Sequence, residues 1–398
     1  MPAPDPDISA STQTDLQQAM ATWRHDLHRH PEFGFEETRT AALVARKLRA
    51  FGLEVAEGVG GTGVVGTLRR GASGRTIALR ADMDALRITE TTGAAHASVR
   101  PGLMHACGHD GHTAMLLGAA QLLAREGGFD GTIRFLFQPA EEWGAGAQAM
   151  LDDGLMQRFP FDAVFGLHNM PGMPVGHLQT MPGAFMAAED IFEITLRGQG
   201  GHASSPHWGR EVMVPACELV LALQSIVARR LSPAETAVVS VTELLTDGTR
   251  NALPGLARVL GDARSFSPDV SSRIEAAMRQ IAAGVAAGHG LDCTVDYTRL
   301  FVPLVNDAAL AGAVLRAAAP VSASVAKADT PMTGSEDFAR FLAHVPGCFA
   351  FIGNGQDSAP LHAPGYDFND AALMHGARVH LAIARDWLAP GSALDRAG

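Results

Sequence analysis

Nine consecutive residues, MHACGHDGH, bring together His105, Cys107, His109 and His112, the densest set of soft and borderline metal donors in the chain. Thiolate and imidazole suit a transition ion, and the same pair suits a cysteine nucleophile activated by a histidine. A buried structural thiol beside helix-terminal histidines is the plain alternative for this segment taken alone. Further donors stand at the ends of predicted strands: Asp82 and Asp84 in IALRADMD, Glu141 and Glu142 in FLFQPAEE, and His168 in VFGLHN. The loop PLHAP after CFAFIGNG adds His362. Each has an ordinary reading as a turn, a cap or a satisfied histidine, but polar groups converging on one sheet edge cost desolvation unless they bind something. Two adjacent glutamates permit a division of labour, one holding a metal and its neighbour free to take a proton from water.

These positions need a frame that gathers strand ends. Helical periodicity runs from Thr14 through Leu27 to a stop at Pro31, and again from Thr38 to Phe51 with Gly52 as the residue after the helix. TIALRADMD, TIRFLFQPAEE and DAVFGLHN then read as strands, with the helix HTAMLLGAAQLLARE between the first two. This alternation predicts a mostly parallel α/β sheet, whose ligands sit off the carboxyl ends of its strands. From Asp190 the rhythm becomes βαββαβ: IFEITLRG, a helix over 212–231, TAVVSVTELL, ARVLGDARS, a helix over 269–287 and CTVDYTRL. That order is ferredoxin-like and predicts an inserted module over 187–301 between two catalytic pieces, 1–186 and 302–398. Helices over 308–318, after GSEDF and over 371–388 complete the second piece.

Composition narrows the partners. The chain of 398 residues carries 31 basic and 42 acidic side chains, a net charge of -11, so no basic excess is available for nucleic acid or an anionic membrane. MPAPDPDISAST has neither a basic nor an apolar signal region, and no run reaches the roughly 18 apolar residues of a membrane span, which predicts a cytoplasmic protein. The four cysteines, Cys107, Cys217, Cys293 and Cys348, lie far apart, and the last three read as structural thiols.

The segments RHDLHRHPEFGFEE, LRADMDAL, MHACGHDGH, FQPAEE, GLHNMP, GQGGHASSPH, TGSEDFA and LHAP resemble, in order and over roughly residues 20–385, the hippurate hydrolase and N-acyl-amino-acid amidohydrolase family. That branch belongs to the aminoacylase and carboxypeptidase-G superfamily and also holds the auxin-conjugate hydrolases. The resemblance implies two divalent ions per chain, manganese or zinc first and cobalt or nickel next, held by Cys107, His109, Glu142, His168 and His362. Glu141 would be the general base, and Asp84 would orient a metal-bound histidine. Carboxypeptidase-G-like relatives carry a metal-binding histidine where this chain has Asp82, so Cys107 is expected to supply that coordination. In the insert, His202 would stabilise the oxyanion, while Asn251 and Arg264 would grip a free carboxylate. The implied substrate is a small N-acyl amino acid, and the implied assembly a homodimer or homotetramer formed through the insert. A Cys107-nucleophile hydrolase and a non-catalytic binding protein of the same fold are the alternatives; the intact Glu141 counts against the second.

Overall fold

The computed structural model describes residues 10–389. The segment MPAPDPDIS, part of the run read above for export signals, and the tail from Pro390 lie outside the described residues. The chain divides into two units, one formed by residues up to Phe185 with Val305–Thr330 and the chain from Asp337, the other by Met186–Leu304 with Pro331–Glu336. Sequence patterning set the boundaries at 186/187 and 301/302 and did not separate Pro331–Glu336. That segment joins the second unit because Ala187 N–H donates to the carbonyls of Met332 and Gly334.

The first unit is built on an eight-stranded sheet. Its four central strands, Gly131–Gln138, Thr76–Asp82, Ala163–Pro171 and Gly347–Gly355, are adjacent in that order and parallel. Six of the seven residues of Thr76–Asp82 are buried, as expected where both faces of a parallel strand are covered. An antiparallel hairpin, Glu54–Val59 and Gly63–Arg70, extends one side. His177–Thr180 and Ser324–Lys327 extend the other. The hairpin escapes the sequence reading because only one residue of its outer strand is buried, so that strand carries no apolar run.

Two predicted elements end differently. The strand expected to reach Glu141 and Glu142 stops at Gln138, since Pro139 cannot donate to the ladder and Ala140 turns the chain at φ 46°. The glutamates ride instead on a one-turn 3-10 helix, Glu141–Trp143. The helix expected after GSEDF is a 3-10 segment, Asp337–Ala343. The helix His109–Glu126 is buried around nearly its whole circumference and starts at the metal-donor cluster.

The second unit has a four-stranded antiparallel sheet ordered Ala237–Thr246, Leu256–Ser265, Ala188–Arg197, Asp292–Phe301. With helices Met213–Leu223 and Pro268–His289 it has the ferredoxin-like βαββαβ order. Leu256–Ser265 alternates strictly between buried and half-buried residues, one face toward the helices. The helix predicted through Leu231 breaks after Leu223 and resumes as a π-helical turn, Ile226–Arg230.

Candidate metal centre and active site

Within the first unit, strand ends and loops bring the predicted donors together. Ligand atoms of Cys107, His109 and His168 lie within 4.8 Å of one another, as do those of Cys107, Glu142 and His362, and those of His109, Glu141 and Glu142. Cys107 Sγ is 3.4 Å from His168 Nε2. His362 Nε2 stands 3.4 Å from Glu142 Oε1.

The outward nitrogens are set by what holds the inward ones. His168 Nδ1 donates to the carbonyl of Asn169 at 2.7 Å, which leaves the Nε2 lone pair facing Cys107. His109 Nδ1 meets Asp84 Oδ1 at 3.1 Å, and Asp84 Oδ2 accepts the backbone N–H of Glu142, also at 3.1 Å. One carboxylate therefore orients a donor from the helix and a donor from the glutamate turn. Gly108, between Cys107 and His109, holds φ 92°, and a Cβ there would meet Asn169 Nδ2 at 2.4 Å. The close approach is needed because Asn169 Nδ2 donates to the Cys107 carbonyl at 2.7 Å while Tyr366 Oη donates to Asn169 Oδ1.

Behind the donors runs a buried charge network that sequence reading did not assign. Asp82 Oδ2 accepts from Arg80 Nη1 and Oδ1 from His112 Nδ1, both at 2.7 Å. Arg80 also donates to Gln138 Oε1 and Asp337 Oδ1, and Asp337 Oδ2 accepts the N–H of Ala147. Asp337, read from sequence as part of an acidic first turn, is thus fully buried and ties three chain segments together. The available signal was an arginine inside an apolar parallel strand, which has to find carboxylates.

Three non-glycine residues among those described have a positive φ: Phe35 at 63°, Ala140 at 46° and His362 at 63°. Such positions cost about 1–3 kcal/mol each and persist where the surroundings over-determine them. His362 is held by its N–H to the Ala106 carbonyl at 2.8 Å. Ala140 is held by Glu37, whose buried Oε1 accepts its N–H at 2.8 Å while Oε2 accepts from Thr62 Oγ1 at 2.5 Å. Glu37 therefore fixes the turn that delivers Glu141 and Glu142.

The donor set fits divalent ions. His109 Nε2 and Glu142 Oε1 are buried without hydrogen-bond partners, a costly arrangement that a cation relieves. Burial opposes protonation of His109, yet Asp82, Asp84 and Glu142 outweigh it and push the imidazole up to about 10, the sign of a site built for positive charge. Burial drives His168 well down, into the neutral form that ligates. Burial, with Glu142, Glu141 and Asp82 around it, pushes the Cys107 thiol far up. The thiolate that either a metal ligand or a nucleophile requires would therefore need a neighbouring cation to form here.

The remaining predicted residues lie in the second unit. His202 is exposed, and its Nδ1 accepts from Ser204 N–H at 3.1 Å. The proton therefore sits on Nε2, which makes that nitrogen a neutral donor. The Asn251 carbonyl accepts from Ala203 N–H at 3.0 Å, joining the two loops. Arg264 is already engaged: Nε with Asp262 at 2.8 Å, Nη1 with Ser335 at 2.8 Å and with Glu189 at 2.9 Å. Nη2 is the guanidinium nitrogen outside these contacts.

Among the described residues, no helix is long and apolar enough to cross a membrane. Residues 78–386 match the model of peptidase family M20/M25/M40. The chain is 38% identical to the N-acetyl-L-cysteine deacetylase of Bacillus subtilis, over 90% of this chain and 86% of that one. It is also 38% identical to the hippurate hydrolase of Campylobacter jejuni, over 94% and 98% of the two chains. A solved dinuclear metal-binding peptidase of the M20 family from Bacillus subtilis superposes with a TM-score of 0.83 at 32% identity, covering 94% of this chain and 99% of that one. Matched along most of its length in sequence and in fold, the chain belongs to peptidase family M20/M25/M40.

Proposed function

We propose that this protein is an amidohydrolase that cleaves the amide bond of N-acyl or N-aroyl amino acids, releasing a carboxylic acid and a free amino acid. Cys107, His109, Glu142, His168 and His362 would hold two divalent ions, manganese or zinc suiting one thiolate, three imidazoles and one carboxylate. Bound ions supply Lewis acidity toward the scissile carbonyl and lower the pKa of water. The observation that carries the reading is Glu141, buried beside Glu142 with Oε1 accepting the Asp337 N–H at 3.3 Å. Its carboxylate would take the proton of the attacking water and pass it to the leaving nitrogen.

Asn251 and Arg264 are the proposed readers of the substrate's free carboxylate, Arg264 through Nη2, and Nε2–H of His202 is the proposed oxyanion donor. A homodimer through the second unit is favoured by its edge strand, Ala237–Thr246, where Val238, Leu244 and Leu245 are exposed, and by exposed Val214 and Leu221 on the helix Met213–Leu223. The four cysteines are free, in keeping with a cytoplasmic setting.

Glu141→Gln tests the reading. The variant should keep two ions per chain and lose turnover of N-acyl amino acids by roughly 100- to 10,000-fold. Near wild-type turnover in the variant, or fewer than one ion per wild-type chain after reconstitution with manganese or zinc, would overturn it.

A further inference from the structure

Two of the three strained non-glycine positions serve the donor set, since Ala140 feeds the glutamate turn and His362 presents a donor. The third, Phe35, has no part in that chemistry, yet a bulky aromatic residue at φ 63° is held there against its preference. Its ring is 37% exposed and stands 6.1 Å from the ring of Trp143 at 85°. Trp143, 46% exposed, meets Phe33 at 4.9 Å and 69°. The Arg87 guanidinium lies 4.1 Å over the Phe33 ring and braces it.

This aromatic group is bound closely to the reacting carboxylates. Trp143 is the residue after Glu142 in the turn Glu141–Trp143, and Phe33 bridges Ala85, the residue after Asp84. Gly34, between the two phenylalanines, packs against the base turn so tightly that a Cβ would stand 3.0 Å from Ala140 Cβ and 3.6 Å from Trp143 Nε1. Glu37, two residues past Phe35, accepts the Ala140 N–H. Phe33–Glu37 and Ala140–Trp143 are therefore one rigid assembly, with two large rings left partly open to solvent instead of packed into the core. Exposed aromatic surface of this kind, next to convergent polar groups, marks a ligand site.

We propose that Phe33, Phe35 and Trp143 form the shelf that receives the acyl group, and that the shelf selects aromatic acyl groups over acetyl. The inference rests on the amidohydrolase reading, in which the scissile carbonyl lies at the donor set beside Glu141. The acyl substituent then extends along whatever flanks the glutamate turn. Rings at steep angles to one another offer both faces and edges, which suits a benzoyl or indolylacetyl ring, whereas an acetyl methyl gains little there. The comparisons do not decide this, because an N-acetyl-L-cysteine deacetylase and a hippurate hydrolase are equally identical to the chain.

The test uses metal-reconstituted enzyme and matched N-benzoyl, N-(indol-3-ylacetyl) and N-acetyl derivatives of glycine, alanine and cysteine. Wild type should favour the aromatic acyl groups by about 10-fold or more in kcat/KM, and Trp143→Ala should lower those substrates about 10-fold further than it lowers the acetyl series, whose own loss reads any disturbance of the glutamate turn. Trp143→Phe, which keeps a ring, should keep most of the preference. Benzoate binding to Glu141→Gln, followed by tryptophan fluorescence, gives a readout without turnover, and its quenching should disappear when Trp143→Phe is added. Equal losses for aromatic and acetyl substrates, a wild-type preference for acetyl, or unchanged quenching after Trp143→Phe would each overturn the shelf. If no N-acyl amino acid is hydrolysed, the amidohydrolase reading fails as well; if the acetyl series alone is turned over, only the shelf fails.

Discussion

His112 Nε2 accepts the backbone N–H of Asn169 at 2.9 Å, while its Nδ1 meets Asp82 Oδ1 at 2.7 Å. A backbone N–H can only donate, so His112 is a neutral imidazole with its proton on the Asp82 side and no lone pair left for a metal. It braces the strand end that carries His168. His112→Ala should leave binding at two ions per chain but weaken it by about 10- to 100-fold, the usual effect of removing support from behind a ligand. Chelator competition with manganese or zinc reads both quantities. A fall to one ion per chain would instead make His112 a ligand.

Glu37 offers a different kind of support, because what it holds is a strained backbone. Glu37→Ala, which removes both acceptors, should lower kcat by roughly 10- to 100-fold through misplacement of Glu141, with KM and ion stoichiometry close to wild type. Ala140→Gly added to that variant should recover much of the loss, since glycine adopts a positive φ without a brace. Steady-state kinetics of the single and double variants decide the matter. No recovery in the double variant would mean that Glu37 acts by another route.

The clustering of Cys107, His109, Glu142, His168 and His362 was legible in the sequence because metal-donor chemistry depends on residue type, even though the glutamates sit on a turn past the strand end expected to carry them. Their supports were not. His112 works through the N–H of Asn169 and Glu37 through the N–H of Ala140, and backbone donors have no residue signature. Asp337 read as an ordinary acidic turn because its partners, Arg80 and Gln138, are distant in the chain. The alternating insert announced its βαββαβ order, whereas the hairpin Glu54–Arg70, half solvated, left no apolar run to detect.

His28 links the first helix to the helix that starts at His109. It is fully buried, with Nδ1 2.9 Å from Asp110 and Nε2 3.4 Å from Glu90, and its ring faces His96 and His105. Burial opposes its charge, but Asp110 and Glu90 prevail and push it up to about 10 from an ordinary 6.5. The folded chain then holds a proton that the unfolded chain gives up above pH 6.5. This stabilisation is complete below that pH and is lost as pH rises through about 10. Thermal unfolding of wild type and His28→Gln at pH 7, 8.5 and 10 should show the steeper fall in wild type. Parallel curves would place a neutral imidazole at this position.

His202 is held as a donor by its own loop, since Ser204 gives Nδ1 both its backbone N–H at 3.1 Å and a hydroxyl contact at 2.8 Å. An exposed Nε2–H suits a developing oxyanion, and loss of such a donor costs about 100- to 1,000-fold in kcat. His202→Ala should therefore keep its ions and its KM while losing turnover on that scale. If the donor acts on the site of a second copy, the variants His202→Ala and Glu141→Gln are each inactive for reasons that a mixed dimer can separate. One of its two sites then combines an intact Glu141 with an intact His202 from the other chain. Mixing the two variants under conditions of subunit exchange should restore activity to a fraction of the sites. No restored activity, with exchange demonstrated by differently tagged chains, would place His202 at the site of its own chain or outside the reaction.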